Sequence, residues 1–148
     1  YAALTRRAAS GADLSTLMWD VSGPGSPARI GPPLTGPTDY ATSVSFSPDS
    51  KTLAIGSSDS TMRLWNVADR THPKLTAILR AETGGINSGA FNPKGPYLSA
   101  VGGGHRLVTW DIDAHAAQAD ICRYAGSAIT RPEWAQYVPG AAYQPPCA

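Results

Sequence analysis

Three histidines and two cysteines are the side chains of this 148-residue chain best suited to bind a transition metal. His72, His105 and His115 are separated by 33 and 10 residues, and none of them stands beside Cys122 or Cys147 in a metal-binding spacing. The sequence therefore predicts no zinc site. We interpret the histidines as exposed residues of turns and of a helix start.

The two cysteines both fall in the last 27 residues. An even number permits a disulfide between Cys122 and Cys147, which would stabilise a loop of this length by ~3 kcal/mol. A reducing cytoplasm would instead keep both thiols free. The residues leave both alternatives open.

The serines and the glycine-rich stretch lack the neighbouring residues that nucleophilic catalysis or phosphate binding requires. Ser57, Ser58 and Ser60 are not framed as a nucleophile elbow, and no His and Asp pair can be assigned to them. The stretch 102–106 is glycine-rich, but it lacks the Lys-Ser/Thr ending of a phosphate-binding loop and opens no helix. We predict no catalytic residue, no cofactor and no metal ion.

The carboxylates recur because a longer pattern recurs. Trp19-Asp20-Val21, Trp65-Asn66-Val67 and Trp110-Asp111-Ile112 follow one another at spacings of 46 and 45 residues. Asp13 and Asp59 each stand six residues before a tryptophan of this series. A repeat explains these residues better than an active site does.

The same period appears in the strand and turn signals. Residues 44–49 (Val-Ser-Phe-Ser-Pro-Asp) and 89–94 (Gly-Ala-Phe-Asn-Pro-Lys) lie 45 residues apart, and each places a proline in a turn after a short apolar strand. Strands are predicted at residues 42–46, 53–55, 61–67, 74–79, 86–91, 97–101 and 106–112. We expect Trp65 and Trp110 to be core residues between strands.

These features resemble the WD40-repeat family over residues 1 to about 112. The resemblance implies an all-β fold, a partial WD40-type β-propeller of about two and a half blades of antiparallel sheet with a short helical C-terminal tail. The expected divisions are a partial blade, a blade, a final blade and the tail, at residues 1–35, 36–80, 81–112 and 113–148.

The chain departs from the family in its polar network. The family has a Gly-His pair whose histidine hydrogen-bonds the turn aspartate and links through Ser or Thr to the tryptophan. Gly36-Pro37 and Ala81-Glu82 occupy that place here, and Gly104 replaces the aspartate that survives as Asp59. We therefore expect the buried network to be lost and the blades to be held mainly by apolar packing.

The tail changes to a helical pattern. Asp113 is a predicted N-cap with Gly126 ending the helix, and Thr130 to Glu133 is a capping box for a second helix that Pro139-Gly140 would stop. The tail resembles the C-terminal extension of actinobacterial WD-repeat proteins, a group in which propellers often form the C-terminal part of signalling NTPases of the STAND class or of related multidomain regulators. The residues of this resemblance are Ile121-Cys122, Gly126, Ile129-Thr130, Glu133-Trp134, Tyr137, Pro139-Gly140, Tyr143 and Pro146-Cys147.

Composition limits the partners. Twelve Lys and Arg against eleven Asp and Glu give a net charge of +1 without a block of one sign, so no nucleic-acid partner is expected. No window is apolar enough to span a bilayer, and no membrane contact is expected from this region. Because the chain begins at Tyr1, an upstream anchor is left open, and the localisation can be cytoplasmic or extracytoplasmic.

The sequence favours a non-catalytic protein-interaction scaffold that binds a protein partner or upstream domains of the same chain. Its candidate partner-binding residues are exposed charges and an aromatic on predicted loops. They are Asp49, Lys51, Arg63, Lys94, Tyr97 and Arg106. The alternative is a sensor or regulatory propeller of a multidomain signalling ATPase or kinase whose catalytic domain lies upstream. A hydrolase or oxidoreductase acting through the channel would need converging ionisable groups that this sequence does not display.

Overall fold

A computed structural model describes residues 6–10, 14–23, 25–82, 84–125, 129–137, 142–143 and 147. The chain divides into two compact units, Tyr1–Trp110 and Asp111–Ala148. Strands fill the described part of the first unit, and two helices dominate that of the second. The predicted fold class, antiparallel β-sheet with a short helical tail, is confirmed.

Ten strands form three antiparallel sheets within the described residues. The first sheet has the order β1-β2-β3, the second β4-β5-β6-β7, and the third β10-β9-β8. The strands are β1 (Arg6–Ser10), β2 (Ser15–Asp20), β3 (Ala28–Thr35), β4 (Ala41–Phe46), β5 (Thr52–Ser57), β6 (Thr61–Asn66), β7 (Lys74–Arg80), β8 (Ile86–Phe91), β9 (Tyr97–Gly102) and β10 (Leu107–Asp111). In each sheet, strands that follow one another in sequence pair with one another.

The core lies between consecutive sheets. Met18 and Leu34 of the first sheet form one buried cluster with Leu53, Ile55 and Val67 at the second. The five consecutive residues of β5 after its first are all buried, because neighbours cover both faces of this strand. A strand that is buried on both faces carries an uninterrupted apolar run, and residues 53–55 are such a run.

The second and third sheets approach even more closely. A Cβ atom on Gly56 of β5 would lie 2.8 Å from Cγ2 of Ile86 on β8. A Cβ atom on Gly89 of β8 would overlap the terminal methyl group of Met62 on β6. The two glycines therefore leave the space that the large apolar side chains of the opposite sheet fill.

The three sheets are staggered copies of one pattern. The strands β2, β6 and β10 each end in a Trp-Asp or Trp-Asn pair, so they occupy equivalent positions. Beyond that position the first two sheets have a further strand, β3 or β7, whereas the described part of the third sheet ends at β10. The second sheet is thus the one complete four-stranded copy among the described residues.

The second unit contains the helices α1 (Ala114–Ala125) and α2 (Arg131–Tyr137). Asp113 caps α1, because its Oδ1 accepts hydrogen bonds from the backbone N–H of His115 at 2.8 Å and of Ala116 at 3.3 Å. Glu133 of α2 reaches back to the N–H of Thr130 at 2.8 Å, as in a capping box. Neither described helix has the length and apolar character that a membrane span requires.

Side-chain contacts hold α2 to the segment that follows it. The Tyr143 hydroxyl donates to the Ile129 carbonyl at 2.8 Å, and its ring meets Trp134 edge-on with the centroids 6.1 Å apart. The Arg131 guanidinium lies 4.6 Å from the centre of the Tyr143 ring. A disulfide joins Cys122 to Cys147. The predicted helix-ending residues Gly126 and Pro139-Gly140 lie outside the described residues.

Candidate functional site

A buried polar network surrounds Asp59 in the turn between β5 and β6. Its Oδ2 accepts hydrogen bonds from the backbone N–H of Thr38 at 2.9 Å and from the Thr38 hydroxyl at 3.2 Å. Its Oδ1 accepts from the N–H of Thr61 at 3.0 Å and from the Thr61 hydroxyl at 2.5 Å. The Arg63 guanidinium completes the network with an ion pair to Oδ2 at 3.0 Å and a hydrogen bond to the Thr61 hydroxyl.

The network keeps Asp59 ionised. Burial opposes ionisation and raises its pKa, but the hydrogen bonds from Thr61, Thr38 and Arg63 outweigh burial and hold the pKa well below its usual value. Five hydrogen bonds to one carboxylate fix the turn and the start of β6.

The expectation that divergence removes the buried network is therefore wrong for the second sheet. Thr38 donates twice from the loop that follows Gly36, and Arg63 supplies a cation from the strand after the turn. Gly36 adopts a φ of 130°, and a Cβ atom there would lie 3.4 Å from Nε of Arg63. The missing histidine is replaced by other donors rather than by apolar packing.

Arg63 needs a second correction. The sequence placed it among the exposed partner-binding residues, but it is only 6% exposed and its charge is used by Asp59. Residues 61–64 of β6 are all buried, because neighbours cover both faces of this strand. Arg63 is a structural residue of the network and not a surface contact.

The acidic or amide residue after each repeated tryptophan has a local structural role. In all three copies its Oδ1 accepts a hydrogen bond from the backbone N–H two residues later, which closes an Asx turn at the end of the strand. The distances are 2.8 Å for Asp20 to Ser22, 3.0 Å for Asn66 to Ala68 and 2.9 Å for Asp111 to Asp113. Asp13, the first of the predicted repeat residues, lies outside the described residues.

The three repeated tryptophans, Trp19, Trp65 and Trp110, lie in strands and are half-buried. Trp65 packs against the core cluster between the first and second sheets. Its ring nitrogen is buried and finds no hydrogen-bond acceptor among the described residues. Trp110 lies on β10, where no further strand of the described chain adds cover.

Two predicted binding loops lie at the same end of the sheets. β4 and β8 run side by side in the same direction, because the Thr42 hydroxyl donates to the Ile86 carbonyl near their starts and the Phe91 N–H donates to the Ser45 hydroxyl, 3.4 Å away, near their ends. The turns that follow them, 47–51 and 92–96, therefore share one end. The turn 67–73 joins them, because the Val67 N–H donates to the Lys51 carbonyl at 2.7 Å. We name the surface of these three turns, together with Tyr97 directly after the turn 92–96, the Asp49 rim.

The Asp49 rim gathers four of the six predicted partner-binding residues. Asp49, Lys51 and Lys94 are exposed there, and Tyr97 follows the third sheet's turn with 42% of its surface exposed. Arg106 is exposed as well, but it lies in the turn between β9 and β10, at the opposite end.

Local hydrogen bonds give the rim a fixed shape. Oδ1 of Asp49 accepts from the Ser47 hydroxyl at 2.6 Å and from the Lys51 N–H at 3.0 Å, and these bonds, the Ser47 bond most of all, lower the pKa of Asp49. In the third sheet Asn92 accepts in the same way from the Lys94 N–H at 2.8 Å. Both loops thus present their charged residues on hydrogen-bonded turns rather than on flexible chain.

Sequence reasoning missed a cavity in this rim. A cavity of about 540 Å³ is lined by Asn66, Ala68, Asp69, His72 and Lys74. Asp69 accepts from the Thr71 hydroxyl at 2.7 Å and lies 3.0 Å from Nδ1 of His72, and the hydrogen bonds from Thr71 and His72 lower the pKa of Asp69 to about 2. The Asp-x-Thr-His spacing of 69–72 is the local signal that could have drawn attention to this turn.

The rim has the chemistry of a recognition surface. It combines cations at Lys51 and Lys94 with anions at Asp49 and Asp69, and Tyr97 adds an amphipathic ring. Such a mixture suits the surface of another protein better than a polyanion. Over the described parts of the chain, no three His, Cys, Asp or Glu side chains converge as ligands of a metal ion.

Residues 29–66 match the WD40 family, described as WD domain, G-beta repeat. The matched stretch begins in β3 and ends with β6, so it starts in the first sheet and finishes in the second. One sequence repeat therefore ties two neighbouring sheets together covalently. The chain contains a WD40 repeat, within a fold consistent with a partial WD40 propeller.

The match does not extend to the helical tail. It gives no support to the resemblance between the tail and actinobacterial signalling NTPases, and that part of the sequence interpretation stays a prediction.

Proposed function

We propose that this chain is part of a non-catalytic WD40 scaffold that binds a partner protein through the Asp49 rim. The WD40 repeat supports the general role, because WD40 domains typically mediate protein–protein interactions. The specific surface rests on one observation, the parallel alignment of β4 and β8. That alignment brings Asp49, Lys51, Lys94 and Tyr97 to one end of two packed sheets.

The rim is rigid for a physical reason. Its turns are closed by side-chain hydrogen bonds, and the strands beneath them are buried between sheets. A preformed surface loses little conformational entropy on binding, so its exposed charges and its tyrosine can contribute to affinity. The cavity beside Lys74 offers a recess in which a partner's polar side chain fits.

The test compares two charge-reversal variants at opposite ends of the sheets. Proteins cross-linked to the full chain in its native cells would be identified, and their affinities for the purified variants measured. We expect Lys51→Glu/Lys94→Glu to lower partner affinity by at least about tenfold, whereas Arg106→Glu leaves it unchanged. The reverse pattern would assign the interaction to the other end and refute the proposal.

A further inference from the structure

β7 is an edge strand with an open side. It pairs with β6 along one side, and no described strand pairs with the other. Such a strand presents backbone N–H and C=O groups to a partner that is itself extended. The outer strand of the first sheet, β3, differs because it contains Pro32 and Pro33, which have no N–H to donate.

The side chains of β7 are unusual for an unprotected edge. The five residues 75–79 carry no charge, and Leu75 and Ile78 remain 43% and 48% exposed. Charges or a proline inside the strand ordinarily prevent an exposed edge strand from pairing with another chain. Here the cations stand only at the two ends, at Lys74 and Arg80, and both are exposed.

A bulge divides the edge into two parts. Ala77 to Arg80 pair in unbroken register with β6, whereas Thr76 has no opposite residue and its hydroxyl donates to the Leu64 carbonyl at 3.0 Å. A bulge increases the local twist of a strand. A partner strand can therefore form backbone hydrogen bonds with Ala77–Arg80. Leu75 and Lys74 lie beyond the bulge, where they can contact side chains of that partner.

We propose that the open edge of β7 binds an extended acidic peptide segment of a partner, antiparallel to the strand. Apolar side chains of the peptide cover Ile78 and Leu75, and an acidic residue near each end faces Arg80 or Lys74. The charges favour this occupant over a second copy of the chain. An antiparallel β7–β7 pair would bring Lys74 of one copy beside Arg80 of the other, and like charges across a ladder are destabilising. Lys74 also lines the cavity of the Asp49 rim, whereas Ile78 and Arg80 lie further along β7 and do not line that cavity.

The test uses a synthetic hexapeptide, acetyl-Asp-Val-Thr-Val-Thr-Asp-amide, and a matched peptide with lysine at both ends. The peptides are titrated into the full ¹⁵N-labelled chain, and backbone amide shifts are followed. We expect the acidic peptide to shift amides of Lys74–Arg80 and to bind about tenfold more tightly than the lysine peptide. Ile78→Ser should weaken binding of the acidic peptide about tenfold.

A charge-swapped variant keeps the test decisive. Lys74→Glu/Arg80→Glu should reverse the preference, so that the lysine peptide binds more tightly, which also shows that the variant is folded. Lys94→Glu, on the Asp49 rim, should leave both affinities unchanged. The proposal is overturned if neither peptide binds, if shifts appear along β10 instead, or if sedimentation shows a dimer of the chain that Ile78→Ser dissociates.

Discussion

At the scale of single residues, the structure separates charges that hold the fold from charges available to a partner. Asp59 and Arg63 are both shielded from solvent and paired with each other. Asp49 also accepts hydrogen bonds within its turn, but it remains exposed on the rim. Residue type alone does not distinguish these cases, because burial decides whether a charge must be satisfied internally.

Replacing Asp59 tests the buried network. Asp59→Asn would leave the Arg63 guanidinium buried without its counter-ion, so we expect the free energy of unfolding to fall by about 3 kcal/mol. Asp49→Asn, at an exposed turn, should lower it by less than about 1 kcal/mol. Urea denaturation of both variants measures the difference. Equal effects would show that the network contributes no more than a surface turn.

The same network predicts an acid dependence of stability. The pKa of Asp59 in the folded chain lies below its ordinary value of 3.8, because hydrogen bonds to the carboxylate outweigh its burial. A depressed folded pKa contributes stability that is complete above the unfolded pKa and is lost as the pH falls through the folded one. The free energy of unfolding should therefore decrease as the pH falls below about 5.

The variant Asp59→Asn isolates this contribution. Asp49, Asp69 and Glu133 also have lowered pKa values, and they remain in both proteins. The difference in unfolding free energy between wild type and variant should shrink with falling pH. A difference that stays constant from neutral pH into the acid range would contradict the assignment.

At the scale of elements, stacked sheets depend on small residues where they approach. A Cβ atom on Gly56 would lie 2.5 Å from the Ser43 hydroxyl and 2.8 Å from Ile86, a residue of the next sheet. We expect Gly56→Ala to force the second and third sheets apart and to lower the free energy of unfolding by about 1 to 3 kcal/mol.

The control for Gly56→Ala is Gly25→Ala. A Cβ atom on Gly25 has no heavy atom within 4 Å, so this substitution adds no clash. Urea or thermal unfolding of the two variants compares the positions. If Gly25→Ala destabilised the chain as much as Gly56→Ala, close packing between the sheets would not explain the effect.

At the scale of the whole molecule, the chain has two units with different sources of stability. In the first unit, the first and second sheets share an apolar core. In the second unit, α1 leaves Ile121 and Tyr124 62% and 84% exposed, and the covalent link between Cys122 and Cys147 closes the tail. The tail thus relies on its disulfide and a few contacts of Tyr143 more than on buried area.

Removal of the disulfide should affect the two units unequally. Cys122→Ser/Cys147→Ser lacks a cross-link worth ~3 kcal/mol for a loop of this size. We expect the variant to lose the helical circular dichroism signal of the tail. The β5 amides of the first unit should stay protected from hydrogen exchange. Retention of both helices in the variant would show that the tail has another source of stability. Mass spectrometry of the oxidised protein, finding both thiols free, would contradict the pairing itself.

The sequence alone determined the repeat and seven of the ten described strands, those from β4 to β10. The spacing of the tryptophans, the Phe-x-Pro turns and the alternation of residues 42–46 are local patterns, and local patterns report the period of a strand and the place of a turn. For the same reason the caps at Asp113 and Thr130 were predictable, since their partners lie two or three residues away.

Only the tertiary structure decided which charges are buried and which surfaces lie together. Thr38 meets Asp59 across 21 residues, and the Thr42 hydroxyl meets the Ile86 carbonyl across 44. No short-range pattern records such contacts, so the replacement of the histidine network, the burial of Arg63 and the shared end of two turns could not be read from the chain. The stacking of sheets brings together residues that are far apart in the sequence. A binding surface built from several sheets therefore depends on the tertiary structure.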